Sequence, residues 1–193
     1  MNSLPAGSGG NPGSVWIIGL SASGKSTLSR LLVKKLRENG YPCLLLDGDE
    51  VRAIFHDRLG YDPEARREQT QRIVRLTRWA SSQGILPVVA VIHPFEADRR
   101  KCRETLPGYF EVHLDCDVSV CAQRDTKNIY RPAFEGRAAN VVGVDIPYDK
   151  PEHPDLVLKS AGTPPEDMRD ALWERLAREV LPRYRACLVE SKI

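Results

Sequence analysis

The chain has 193 residues, of which 41% are hydrophobic and 28% charged, with a formal net charge of +2. That length suits one domain that buries about 70% of its unfolded surface. The near-neutral balance offers no basic face for nucleic acid, and no run of about 18 apolar residues is present to span a membrane. The five cysteines, Cys43, Cys102, Cys116, Cys121 and Cys187, contain no CxxC pair. A zinc site or disulfide framework is therefore not expected, and the expected compartment is reducing, hence cytoplasmic.

In chain order, residues 1–14 are rich in Gly, Ser, Pro and Asn, lack the apolar segment of a signal peptide and read as a flexible leader. The folded domain is expected over 15–193. Residues 15–20 form a short apolar run, the first expected strand. A helix is expected over 26–39, because Leu28, Leu31, Leu32 and Leu36 fall on one helical face. Cys43 to Leu46 is a second apolar run and ends in Asp47-Gly48-Asp49. Pro63 opens a helix expected to reach about Ser82, with Ile73 and Leu76 on one side and Gly84 as the stop. Expected strands follow at 87–92, 110–115 and 156–159, with helices at 95–106, 118–124 and 164–181; Pro182 is read as the end of the last one. Residues 127–151 are polar, with Gly, Pro and Asn and no period, and read as a functional lid of about 127–150.

The expected strands lack polar alternation, the mark of parallel strands buried on both faces. Alternating with helices, they predict an α/β fold: three layers around a central five-stranded parallel sheet.

Gly19-Leu20-Ser21-Ala22-Ser23-Gly24-Lys25-Ser26, followed by Thr27, fits GxxxxGK(S/T) in full. It lies between an expected strand and an expected helix, the context that the phosphate-binding P-loop requires. The chemistry is direct. Backbone N–H groups of the loop and helix start face phosphate oxygens. Lys25 offsets charge on the β- and γ-phosphates of a nucleoside triphosphate, and the Ser26 hydroxyl is placed for Mg²⁺. A GTPase switch needs a Gly-bearing sequence after the third strand; Ile92-His93-Pro94-Phe95 stands there instead.

Asp49 and Arg52 follow the second strand at its C-terminal end, where open parallel sheets bind ligands. A carboxylate there can take a hydroxyl proton, and an Arg can grip an anion with two parallel hydrogen bonds. The same residues also read as an Asp-Gly turn leading into a helix cap, and the sequence leaves both readings open.

These motifs, in order, resemble the adenylyl-sulfate kinases. The matching text is the P-loop, Leu46-Asp47-Gly48-Asp49 with Val51-Arg52, Leu59-Gly60-Tyr61, Pro63-Glu64 with Arg66, Ile92-His93-Pro94-Phe95 with Ala97-Asp98-Arg99, Cys121-Ala122-Gln123-Arg124-Asp125, Lys127, Tyr130, Gly143-Val144-Asp145 and Pro147-Tyr148. The resemblance implies a kinase using ATP and Mg²⁺ to phosphorylate the 3′-hydroxyl of adenosine 5′-phosphosulfate. It implies that Asp49 is the base or holds a Mg²⁺-bound water, that Arg52 and Arg66 grip the acceptor's anionic groups, and that Tyr61 stacks on the acceptor base. It places Gln69, Ile92, His93 and Val141 against the acceptor and Arg124 near the donor adenine. Members are often dimers, so a homodimer is part of the expectation.

The departures from the family pattern gather on the acceptor side: Tyr61 for Phe, Glu50 and Gln69 for Asn, His93 for Ser, and Pro132 for a basic residue. Val141 stands where the family has the second aromatic of a clamp on adenine. A base–aromatic stack is worth about 1–3 kcal/mol, and Val cannot make it. Two alternatives therefore accompany the main reading: a different nucleotide acceptor such as cytidine diphosphoramidate, and a nucleotide-binding module without catalysis.

Overall fold

The computed structural model describes residues 11–55 and 59–190, the last by its backbone alone. Its strands are β1 (Ser14–Ile18), β2 (Cys43–Asp47), β3 (Leu86–Val91), β4 (Tyr109–Asp115) and β5 (Leu156–Lys159). The helices are α1 (Lys25–Glu38), α2 (Gly48–Phe55), α3 (Pro63–Ser82), α4 (Glu96–Thr105), α5 (Val118–Gln123), α6 (Tyr130–Phe134), α7 (Pro165–Glu179) and α8 (Leu181–Glu190). The strands form one parallel sheet in the order β2-β3-β1-β4-β5.

Helices cover both faces of that sheet, so its central strand must be apolar on both sides. β1 meets this demand: all five of its residues are buried. Alternate side chains go to opposite faces. Val15 and Ile17 join Leu28, Leu32 and Leu36 of α1 and Leu172 and Leu176 of α7. Trp16 and Ile18 join Ile73 and Val74 of α3, Val89 and Cys102. A third cluster joins Leu20 and Cys121 to Tyr130, Val141 and Ile146 of the 127–150 segment. In this sheet order, β1 has β3 on one side and β4 on the other, and the chain changes direction around it. The crevice therefore opens at the C-terminal end of β1, above the P-loop.

The three-layer expectation holds, and β5 has the expected bounds. The differences lie at punctuation. Pro182 does not end the chain's last helix; it is the second residue of α8, where a missing N–H is tolerated. α8 seats Tyr184, fully buried, whose hydroxyl donates to the carbonyls of Gly84 (2.9 Å) and Pro42. Asp47-Gly48-Asp49 leads directly into α2, and α6 interrupts the segment expected to be irregular. Of the leader, residues 1–10 lie outside the described residues, as does His56; Ser14 is already the first residue of β1. Its N–H donates to Gly108 O at 3.1 Å, and Gly13 O accepts from Ser81 Oγ at 3.0 Å. Among the described residues no helix is long and apolar enough to cross a membrane.

Candidate active site

The turn between β1 and α1 is built by its glycines. Gly24 caps α1 at φ 98°, where a side chain is strained. A Cβ on Gly19 would lie 2.8 Å from Leu114 O. Ala22 also takes a left-handed φ of 59°. Lys25 then starts the helix almost fully buried, its Nζ 2.5 Å from Leu20 O. Burial pulls its pKa down to about 8, with the carboxylate of Asp47 drawing it part of the way back up. A buried ammonium set among backbone amides is a site that favours phosphate.

Ser26 Oγ donates to Asp47 Oδ2 at 2.6 Å, and Asp47 Oδ1 accepts from the N–H of Asp49 at 3.0 Å. The last residue of β2 thus joins the first turn of α1 and caps α2. Asp49 reaches further, its Oδ2 paired with Lys127 Nζ. That contact raises the Lys127 pKa. Gln69, buried on α3, donates from Nε2 to Gly48 O at 3.2 Å, while its Oε1 has no partner.

On the far side the cations gather around Tyr61. Arg52 lies over the ring with its guanidinium carbon 4.6 Å from the centroid, and Arg66 at 5.8 Å. Arg52 also donates to Leu59 O and Gly60 O at 3.1 and 3.0 Å. Arg66 donates to Asn140 O at 2.8 Å. Burial, then the like charge of Arg52, pulls Arg66 below the usual guanidinium range. Two neighbouring guanidiniums at a cleft wall gain from an anion between them. Asn140 turns at φ 68°, held by Asp145, whose carboxylate accepts from Asn140 N (2.5 Å) and Val141 N (2.7 Å).

The segment after α5 is fixed at its near end by Asp125, whose oxygens accept from the N–H groups of Lys127 (3.0 Å), Ile129 (2.6 Å) and Tyr130 (2.9 Å). Tyr130 Oη donates to Ser21 O at 3.1 Å, which ties this segment to the P-loop. Arg124 donates to Ser160 O at 3.1 Å.

A single cleft of about 1070 Å³ joins these groups. It is lined by Ser21, Ala22, Gly24, Lys25, Ser26 and Thr27, by Asp49, Arg52, Tyr61, Arg66, Gln69, Ile92 and His93, and by Arg124 and Val141. Gly19 and Ser23 shape the loop from behind and do not line the cleft. His93 is buried, with its ring 5.4 Å from that of Trp16 and both ring nitrogens without a partner. Burial, and then Arg99, lowers its pKa to about 3. Val141 belongs to the third core cluster and presents no aromatic face. Glu50 is turned to Arg30 at 3.1 Å, so its charge is paired.

Asp47, Asp125 and Lys127, which belong to the family-like text but carry no expected site role, line the same cleft, as does Arg30, which no motif includes. Asp47 had a signal: it ends an apolar strand beside the P-loop. Lys127 is marked only by the family-like text at the start of the lid; its pairing with Asp49, 78 positions away, has no local signal.

Mg²⁺ prefers hard oxygen ligands and keeps several from water or phosphate. The hydroxyl and carboxylate oxygens of Ser26 and Asp47, already at contact distance, fit that preference. No group of three His, Cys, Asp or Glu residues suited to a metal occurs among the described residues.

A P-loop on a parallel sheet, opening into a cleft with a carboxylate and two guanidiniums, defines a nucleotide-binding phosphotransferase. Comparison makes this particular. Residues 11–159 match the family model described as adenylylsulphate kinase, and the chain belongs to that family. It is 39% identical over 163 residues to an adenylyl-sulfate kinase of Clostridium acetobutylicum, covering 84% of this chain and 82% of that one. An adenylyl-sulfate kinase of Bacillus pumilus is 36% identical over 162 residues, with 83% and 82% covered. A solved structure of the Mycobacterium tuberculosis APS kinase CysC in complex with AMPPNP and APS superimposes with a TM-score of 0.81 at 30% identity, covering 87% of this chain and 99% of that one.

Proposed function

We propose that this protein transfers the γ-phosphoryl group of ATP to the 3′-hydroxyl of adenosine 5′-phosphosulfate. The observation that carries the reading is the continuity of the cleft. The phosphate loop and the guanidinium pair open into the same space, and the Ser26–Asp47–Asp49–Lys127 chain of contacts runs between them. The family relationship supplies the acceptor and favours adenosine phosphosulfate over a cytidine ligand.

In this reading the loop amides and Lys25 hold the β- and γ-phosphates, and Arg124 lies beside the donor adenine. Ser26 and Asp47 would hold Mg²⁺, which would neutralise phosphate charge. Asp49 orients the acceptor hydroxyl and accepts its proton as the new O–P bond forms and the bond to ADP breaks. Lys127 brings a positive charge to the same point. Arg52 and Arg66 grip the acceptor's phosphosulfate, and Tyr61 stacks on its base, with Gln69, Ile92, His93 and Val141 around it. Residues 127–150 act as the lid of a single domain and exclude water, which competes as phosphoryl acceptor. Such transfers are driven mostly by positioning and electrostatics.

Coupled ADP release with Mg²⁺ and ATP tests this, comparing adenosine 5′-phosphosulfate with cytidine 5′-diphosphate derivatives, cytidine diphosphoramidate included. Turnover that prefers adenosine phosphosulfate is expected. A preference for the cytidine ligand would overturn the acceptor, and no turnover with any nucleotide would overturn the enzyme.

A further inference from the structure

The loop after β3 carries a residue in an uncommon conformation. His93 has φ 51°, in the left-handed region. Such backbone persists where surrounding contacts over-determine it. Arg99 of α4, whose side chain is 1% exposed, supplies them. Its Nη1 donates to His93 O at 2.6 Å. Its Nη2 donates to Asp149 O at 2.6 Å and to Glu96 Oε2 at 2.6 Å, and its Nε reaches the same carboxylate oxygen at 3.0 Å.

Asp149 closes the arrangement from the other side. Its N–H donates to Pro94 O at 2.9 Å, and its Oδ2 accepts from Glu96 N at 3.1 Å. One buried guanidinium and one aspartate therefore join two segments far apart in sequence. Residues 92–94 line the acceptor half of the cleft. Asp149 lies at the far end of the segment that delivers Asn140 and Val141 to the same half. The near end of that segment is held separately, by Asp125. The guanidinium suits this task because its donors point in fixed directions within a plane; an ammonium is a point charge and cannot hold two carbonyls and a carboxylate in one register.

We infer that Arg99 is a positioning residue: it locks the loop at 92–94 to the far end of the lid, so that the two walls of the acceptor site move as one. The kinetic side of this inference rests on the kinase reading above. The structural side does not.

The test uses the full chain with Arg99→Lys, and with Asp149→Ala as a milder variant that removes an exposed side chain. Hydrogen exchange by mass spectrometry is expected to quicken in peptides covering 93–99 and 146–151 and to stay unchanged in β1 and α1. In steady-state kinetics, Arg99→Lys lowers kcat/KM for the acceptor roughly 10- to 100-fold, with KM for ATP held within about 2-fold. Asp149→Ala shifts the same parameter by a few-fold. Three results would overturn the inference: unchanged exchange at both segments, exchange that quickens across the whole sheet, or acceptor and ATP constants that worsen together. A wild type without turnover would sink the kinase reading alone, and the exchange comparison would still decide the clasp.

Discussion

The donor and acceptor halves of the cleft are made in different ways. In the proposed reading the donor half is built mainly from one contiguous stretch, Gly19 to Thr27, whose shape follows from a strand, two glycines and a helix start, with Arg124 added from the end of α5. The acceptor half is gathered from four places: Asp47 to Arg52, Tyr61 to Gln69, residues 92–94, and the segment 127–142. Its side chains are held mostly by main-chain carbonyls of other elements, as Arg66 is by Asn140 and Gln69 by Gly48. A contiguous site changes only if its motif changes. A gathered site can alter its ligand through single substitutions.

The largest effect expected from breaking this contrast comes from the donor side. Lys25→Ala should lower turnover by roughly 10³-fold or more, because a preorganised charge on the transferring group is lost. ADP release with saturating acceptor reads it; turnover within a few-fold of wild type would show that the P-loop ammonium is not used.

On the acceptor side, Tyr61→Ala should remove a stack worth about 1–3 kcal/mol, raising KM for the acceptor about 5- to 150-fold. KM for ATP should stay within about 2-fold. Equal changes in both constants would mean that the two halves are not separately built.

A smaller effect concerns stability. His93 is buried and neutral, with a pKa of about 3 against 6.5 when unfolded. Between those values the unfolded chain binds the extra proton, so stability falls as pH drops below about 6.5 and the loss levels off near pH 3. From pH 7.5 to 5.5 this one group should withdraw about 1.4 kcal/mol. Urea unfolding of wild type and His93→Gln at both pH values isolates it; identical pH dependence in the two would contradict a neutral buried ring.

The smallest effect is expected at Glu50. It and Arg30 are more than half exposed, and such pairs contribute little. Glu50→Asn should move the melting temperature by less than about 2 °C, and a paired Glu50 predicts an acceptor KM changed less than about 3-fold.

The same contrast explains what could be read from the sequence. The sheet and the P-loop were legible because apolar runs and the GxxxxGK(S/T) spacing are local. α2 is only half legible, because Asp47-Gly48-Asp49 reads either as a ligand-facing strand end or as a turn into a helix cap; the Asp47 side chain does cap Asp49 N at the start of the helix. α8 was missed because Pro182 fits both the end of one helix and the first turn of the next. Asp47 ends an apolar strand beside the P-loop, but its bond to Ser26 spans 21 positions and has no local pattern. The Arg99 clasp spans 50 positions to Asp149, a distance that no periodicity encodes.

The most direct test of the central claim, two separately built halves meeting at one carboxylate, is Asp49→Ala. ATP affinity by calorimetry and turnover with adenosine 5′-phosphosulfate would be measured side by side. The account predicts ATP affinity within about 2-fold of wild type and turnover lower by roughly 10²- to 10⁴-fold. Undiminished turnover would remove Asp49 from the mechanism, and a collapse of ATP affinity would show that the halves are one unit.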